Sequence, residues 1–180
     1  TVSSLKSPPH PNSNVNMNLI DCDVHQYWNS PQDIIKFLPK AYRERGITLP
    51  GIFGITNPHG VLRRDAIPPL GGSPGSCPGT MREQLLDTYN MDYAILLGGN
   101  SLSIGVSPDT YYATAFASAY NNWVIEKWLP EDPRFLGAIL ISQQDPQTAA
   151  KEITRLGSNP QFVQVLMTSA TNTPLGRPQY

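Results

Sequence analysis

Asp21, Asp23 and His25 stand at alternate positions in the run Leu-Ile-Asp-Cys-Asp-Val-His-Gln-Tyr-Trp, residues 19–28. Carboxylate oxygen and imidazole nitrogen are common ligands of divalent cations. In a regular strand, alternate residues share a face. That places Leu19, Asp21, Asp23 and His25 on one side, and Ile20, Cys22 and Val24 on the other. Asp23 and His25 lie about 6.6 Å apart along such a strand, so both side chains can converge on one ion. Burying two carboxylates and an imidazole together costs several kcal/mol unless they are paired or hold a cation. Metal binding by Asp23 and His25 is the expectation that follows. The competing reading is structural: the two aspartates accept capping hydrogen bonds where strand becomes loop, and His25 is a satisfied neighbour.

The elements that would position these groups follow in order. Ser30 with Pro31 starts a short helix, and a second turn covers residues 40–45. Residues 46–80 are rich in Pro and Gly and show no period. Thr80 and Glu83 form a capping box for a helix reaching residue 90. Residues 93–97 read as an apolar strand. Ser107-Pro108-Asp109 starts a long helix that Pro130 ends. Residues 135–141 and 162–168 are two further apolar strands, with a helix from Asp145-Pro146 to Gly157 between them. Continuously apolar strands alternating with helices predict an α/β fold with a parallel sheet, either doubly wound or a barrel. The first strand–helix turn lacks the Gly-x-Gly-x-x-Gly pattern of dinucleotide sites, and no phosphate loop appears. In barrels, chemistry gathers at the C-terminal ends of strands, where Asp23 and His25 fall. Tyr111, Tyr112, Phe116 and Tyr120 form an aromatic stripe at helical spacing, expected in the core.

The chain has 180 residues and a net charge of −1, which gives no basis for attraction to nucleic acid or anionic membranes. No apolar run reaches transmembrane length. Cys22, in the first strand, and Cys77, in the Pro/Gly segment, are expected to be free thiols in a cytoplasmic protein. Residues 1–18 read as a flexible polar arm containing an idle His10, and residues 19–180 as one domain.

Several pieces together resemble the amidohydrolase-related family, the branch of the amidohydrolase superfamily that includes aminocarboxymuconate-semialdehyde decarboxylase and the resorcylate decarboxylases. They are Ile20-Asp21-Cys22-Asp23-Val24-His25, Tyr120-Asn121-Asn122-Trp123, Asp132-Pro133-Arg134-Phe135-Leu136-Gly137, Asp145-Pro146 and residues 149–152. The resemblance implies a (β/α)8 barrel of TIM type, of which this chain holds the first four strand–helix units. It implies one divalent metal ion, zinc most often and manganese as an alternative, with the strand-one ligand pair falling on Asp23 and His25. The absence of Lys from residues 162–168 favours the single-metal branch. Further ligands and catalytic groups, two histidines and an aspartate from later strands, would lie beyond Tyr180. The implied activity is metal-dependent hydrolysis or decarboxylation of a small carboxylated or aromatic substrate. The alternative is a non-catalytic half barrel that serves as an interaction subunit or has lost its metal.

In such a barrel, residues 46–80 would lie over the mouth. His59, Arg63 and Arg64 would then meet an anionic substrate, although adjacent arginines in a polar loop are ordinarily just solvated. Tyr27 and Trp28 serve either as aromatic walls of the pocket or as core at the rim. Four strands alone would expose two sheet edges and an apolar face. The expected partners are therefore a complementing C-terminal half of the barrel and a small-molecule substrate. Residues 1–180 alone are expected to be poorly soluble or homo-oligomeric.

Overall fold

A computed structural model describes residues 18–50, 64–101 and 103–178. The arm up to residue 17, with His10, and part of the long insert, with His59 and Arg63, lie outside the described residues.

Four parallel strands, β1 (Ile20–Val24), β2 (Tyr93–Leu96), β3 (Phe135–Leu140) and β4 (Phe162–Leu166), lie side by side in chain order. A doubly wound sheet reverses its strand order at a switch point, whereas a barrel adds each strand beside the last. The unbroken order β1-β2-β3-β4 is that of a barrel's first four units. Short helices α1 (Gln32–Ile35), α2 (Lys40–Arg43) and α3 (Pro78–Met81) separate β1 from β2. The longer α4 (Thr110–Lys127) and α5 (Pro146–Leu156) follow β2 and β3. Both long helices begin where an aspartate caps a free N–H: Asp109 accepts from Tyr112, and Asp145 from Thr148. Among the described residues no helix is long and apolar enough to cross a membrane.

The core lies between the sheet and α4. Phe116, Tyr120, Trp123 and Val124 of this helix are buried with Ala94, Leu96, Phe135 and Ile139 of the strands. Trp28 packs edge-on against Phe116 and Trp123, with ring centroids 6.1 and 6.3 Å away. Trp123 in turn meets Trp128, and Trp128 meets Phe135. Each such aromatic contributes roughly 1.5–3 kcal/mol by burial alone. Tyr111 departs from the expected stripe and is exposed, because it faces away from the sheet.

Asn121 carries out a different task. β2 stops pairing at Gly137 of β3, which leaves the Leu140 main chain without a partner on that side. The Asn121 amide replaces the missing strand, its Oδ1 accepting from the Leu140 N–H and its Nδ2 donating to the Leu140 carbonyl, both at 2.9 Å.

Among the described residues, β4 at the edge of the sheet exposes apolar side chains. Val163, Val165 and Met167 of β4 and its extension are 48, 41 and 48 % exposed, and Tyr93 is exposed on β2. The β1 edge shares this exposure, which corrects the expected burial of the first strand: Cys22 and Asp23 are exposed and Asp21 is half-buried. The reason is that, among the described residues, β1 has a neighbour on one side only. Both cysteines are free.

Two helix starts also differ from expectation. Thr80 lies inside α3, whose first position is Pro78 behind Cys77, and the helix then widens into a π-helical stretch, Arg82–Asp87. Proline's fixed φ sets the start there, ahead of the Thr80–Glu83 box. Ser30 gives no side-chain cap either; Asp33 reaches back and accepts from the Asn29 and Ser30 N–H groups.

Candidate metal centre at the end of the first strand

Asp21 pairs with Ala94 and Val24 with Leu96, so three steps on β1 match two on β2. This is a β-bulge, which turns side chains and often lies beside active sites. Paired residues of parallel neighbours share a face, so Asp21 lies on the side of Ala94, the helix-covered side. The regular alternation predicted for β1 therefore fails at one residue: Asp21 leaves the row. Its Oδ1 accepts from the Asp23 N–H at 3.0 Å, the capping role weighed for it in the structural reading.

Asp23 and His25 remain together past the bulge. The Asp23 Oδ1 lies 3.1 Å from the His25 Nε2, with side chains 76 and 37 % exposed. Donor atoms held about 2.1 Å from one cation are roughly 3.0–3.4 Å apart at octahedral and tetrahedral angles. The separation of the pair matches that of two ligands on one ion, and the same distance suits an imidazole N–H donating to a carboxylate. Among the described residues, no three His, Cys, Asp or Glu side chains gather as a metal site. Oxygen and nitrogen donors of this kind suit zinc or manganese.

The main chain around His25 is held on the downstream side. The Val24 carbonyl accepts from Leu97, the Gln26 carbonyl from Gly99, and the Tyr27 N–H donates to Gly75. The Gln26 side chain is buried and fully engaged: its Oε1 accepts from the Gly98 N–H at 2.8 Å, and its Nε2 donates to the Tyr120 hydroxyl at 2.6 Å. Gly98 has φ +62°, and a Cβ there would stand 2.5 Å from the Tyr120 hydroxyl oxygen, so only glycine fits. Burial pushes the Tyr120 hydroxyl's pKa far up, so it stays protonated. Sequence reasoning passed over Gln26; its one signal is a polar residue between a strand and two aromatics.

Two further glutamines tie the loops at the same end of the sheet. Gln143, after β3, donates to the carbonyl and hydroxyl of Thr168, after β4. Gln144 donates to the carbonyls of Ile104, Gly105 and Ser107 in the loop after β2, and its Oε1 accepts from Thr110.

Of the substrate residues read from the sequence, Trp28 and the backbone of Arg64 lie among the described residues. Trp28 is in the core against α4. Tyr27 is buried beside Gly75 and Gly99, and burial raises its hydroxyl pKa. Arg64 opens a 3₁₀ turn, Arg64–Ala66. A cavity of about 470 Å³ lies elsewhere, between Arg45–Pro50 and the start of α4. Burial pushes the pKa of Tyr112, in its wall, up to about 12.

Comparison with known proteins places these features in a family. A family profile described as Amidohydrolase matches residues 20–180. No curated protein matches the chain. Among solved structures, 2,6-dihydroxybenzoate decarboxylase complexed with 2,6-dihydroxybenzoate superposes with a TM-score of 0.52 at 21 % identity, over 91 % of this chain and 45 % of that one. The 2,6-dihydroxybenzoate decarboxylase from Rhizobium gives a TM-score of 0.52 at 22 % identity, over 91 % and 44 %. The chain thus spans a little under half the length of the solved chains it matches, and the likeness is one of fold.

Proposed function

The chain belongs to the amidohydrolase family, and from that premise we propose that it contributes the first ligands of a mononuclear metal site for hydrolysis or decarboxylation of a small carboxylated aromatic compound. One observation carries the reading: the Asp23 Oδ1 and the His25 Nε2 lie 3.1 Å apart at the C-terminal end of β1. Asp23 supplies negative charge to offset a divalent cation, and His25 supplies a neutral nitrogen. A divalent ion, zinc or manganese, acts as a Lewis acid on a substrate oxygen or on water when bound there. The bulge turns Asp21 away, so the pair faces the open side of the sheet without a second carboxylate competing for the ion.

Arg64, with Arg63 and His59 from the same segment, is the proposed grip on the substrate carboxylate, since a guanidinium fork binds both oxygens at once. The likeness to two decarboxylases of dihydroxybenzoate supports a carboxylated aromatic substrate over other small molecules. The exposed apolar side chains of β1 and β4, which are the outer strands among the described residues, support a further proposal, that four more strand–helix units cover them, in the same chain or in a partner. Those units would supply the remaining ligands and the proton-transfer group. A non-catalytic half barrel is the second reading, supported by the short ligand set among the described residues.

The test is carbon dioxide release from hydroxybenzoates, set beside hydrolysis of aromatic esters and lactones, by the full chain in its closed barrel. We expect turnover in one of the two assays, lost on chelation and in His25→Ala. No turnover in either, from protein that carries metal, refutes the catalytic reading.

A further inference from the structure

We propose that Gln26 and Tyr120 form a clamp that positions His25, and through it Asp23, for cation binding; this inference rests on the metal reading above. β1 is an edge strand interrupted by a bulge, so its ladder with β2 leaves the segment around Asp23 loosely defined. A bidentate ligand pair nevertheless requires the two side chains to hold one geometry. Order has to come from the residues that follow.

Gln26, next to His25, has both ends of its amide engaged in buried hydrogen bonds. One end fixes the turn after β2 through Gly98, and the other reaches the hydroxyl of Tyr120, which is wholly buried on α4. The two contacts lock the Gln26 side chain to the helix-covered side. Because successive residues point to opposite faces, His25 is thereby turned to the open face, toward Asp23. Gly98 makes the arrangement specific, since any side chain there would strike the Tyr120 hydroxyl. A buried amide is satisfied in few orientations, and each of its ends is costly to orphan. Gln26 and Tyr120 touch neither metal nor substrate; they are positioning residues, comparable in consequence to the outer groups that orient metal ligands.

The test uses Gln26→Met, which keeps length and removes both hydrogen bonds, and Tyr120→Phe, which removes only the hydroxyl. Leu156→Ala, in the core away from β1, serves as a control for lost stability. In metal-free protein, long-range ¹H–¹⁵N spectra report the imidazole of His25. In parallel, zinc and cobalt(II) affinities are measured by competition. We expect both clamp variants to displace the His25 Nε2 resonance and to weaken metal binding about 10-fold. Leu156→Ala should lower the melting temperature with neither change. Unchanged His25 resonances in both clamp variants overturn the proposal, whatever their stability. Clamp-dependent resonances in a wild-type protein that binds no metal would sustain the clamp while defeating the metal reading.

Discussion

Replacing Asn121 by Leu removes a side chain that stands in for a strand, and the cost can be worked from its contacts. Asn121 is fully buried, and Leu has the same branched outline with bulkier methyl groups, so overpacking adds to the polar loss. Two main-chain groups of Leu140, itself fully buried, lose their partners, and Glu152 loses the Asn121 Nδ2 at 2.8 Å. Orphaned buried groups cost about 1–3 kcal/mol each. Two of them give roughly 2–6 kcal/mol, and contacts within one network do not add in full. The expected loss is therefore about 3–4 kcal/mol, a large share of the ~5–15 kcal/mol by which a domain is stable. Urea unfolding of the parent and of Asn121→Leu measures it, and hydrogen exchange at the Leu140 amide locates it. A loss below about 1 kcal/mol, or an unaltered Leu140 exchange rate, would refute the argument that Asn121 completes the ladder.

Further predictions concern charge, a tight glycine and a core aromatic. Hydrogen bonds from Arg134 hold the Asp132 carboxyl below the usual range against the opposing effect of burial. Burial raises Glu152, but hydrogen bonds from Arg155, Asn121 and Ser118 outweigh it and leave the group below its ordinary value. Because both pKa values are depressed by folding, their stabilisation is complete above the unfolded values near 4 and is lost as pH falls through the folded ones. The urea midpoint should hold from pH 7 to about 5 and drop below about 4, less steeply in Glu152→Gln. A midpoint that falls already between pH 7 and 5 would point to other groups. Gly98→Ala adds left-handed strain of about 1–2 kcal/mol to an unavoidable clash with Tyr120, so a thermal melt should show a loss above 2 kcal/mol. Trp28→Leu should cost about 2–4 kcal/mol in the same melt yet leave KM unaltered, since its ring is in the core; a raised KM with unaltered stability would restore it to the pocket.

Much of this fold is written in local pattern. β3 is buried on both faces, so its uninterrupted apolar run identifies it without ambiguity. Asp109 and Asp145 announce α4 and α5 because a carboxylate one residue before a helix has a fixed partner, the free N–H two or three residues on. β1 is different. Its burial depends on neighbours that alternation cannot report, and a bulge changes which residues share a face while leaving the composition untouched. That is why Asp23 and His25 are legible as a pair while Asp21 is not excluded from it. The clamp of Gln26 on Tyr120 joins residues 94 positions apart, a contact no periodicity encodes.

The account rests on a cation joining the Asp23 carboxylate to the His25 imidazole. Elemental analysis of the purified full chain after equilibration with zinc or manganese, beside Asp23→Asn and His25→Ala, tests this most directly. The account predicts close to one bound ion per chain, falling at least 10-fold in affinity in either variant. Equal metal content in all three proteins, or none in the parent, would contradict it.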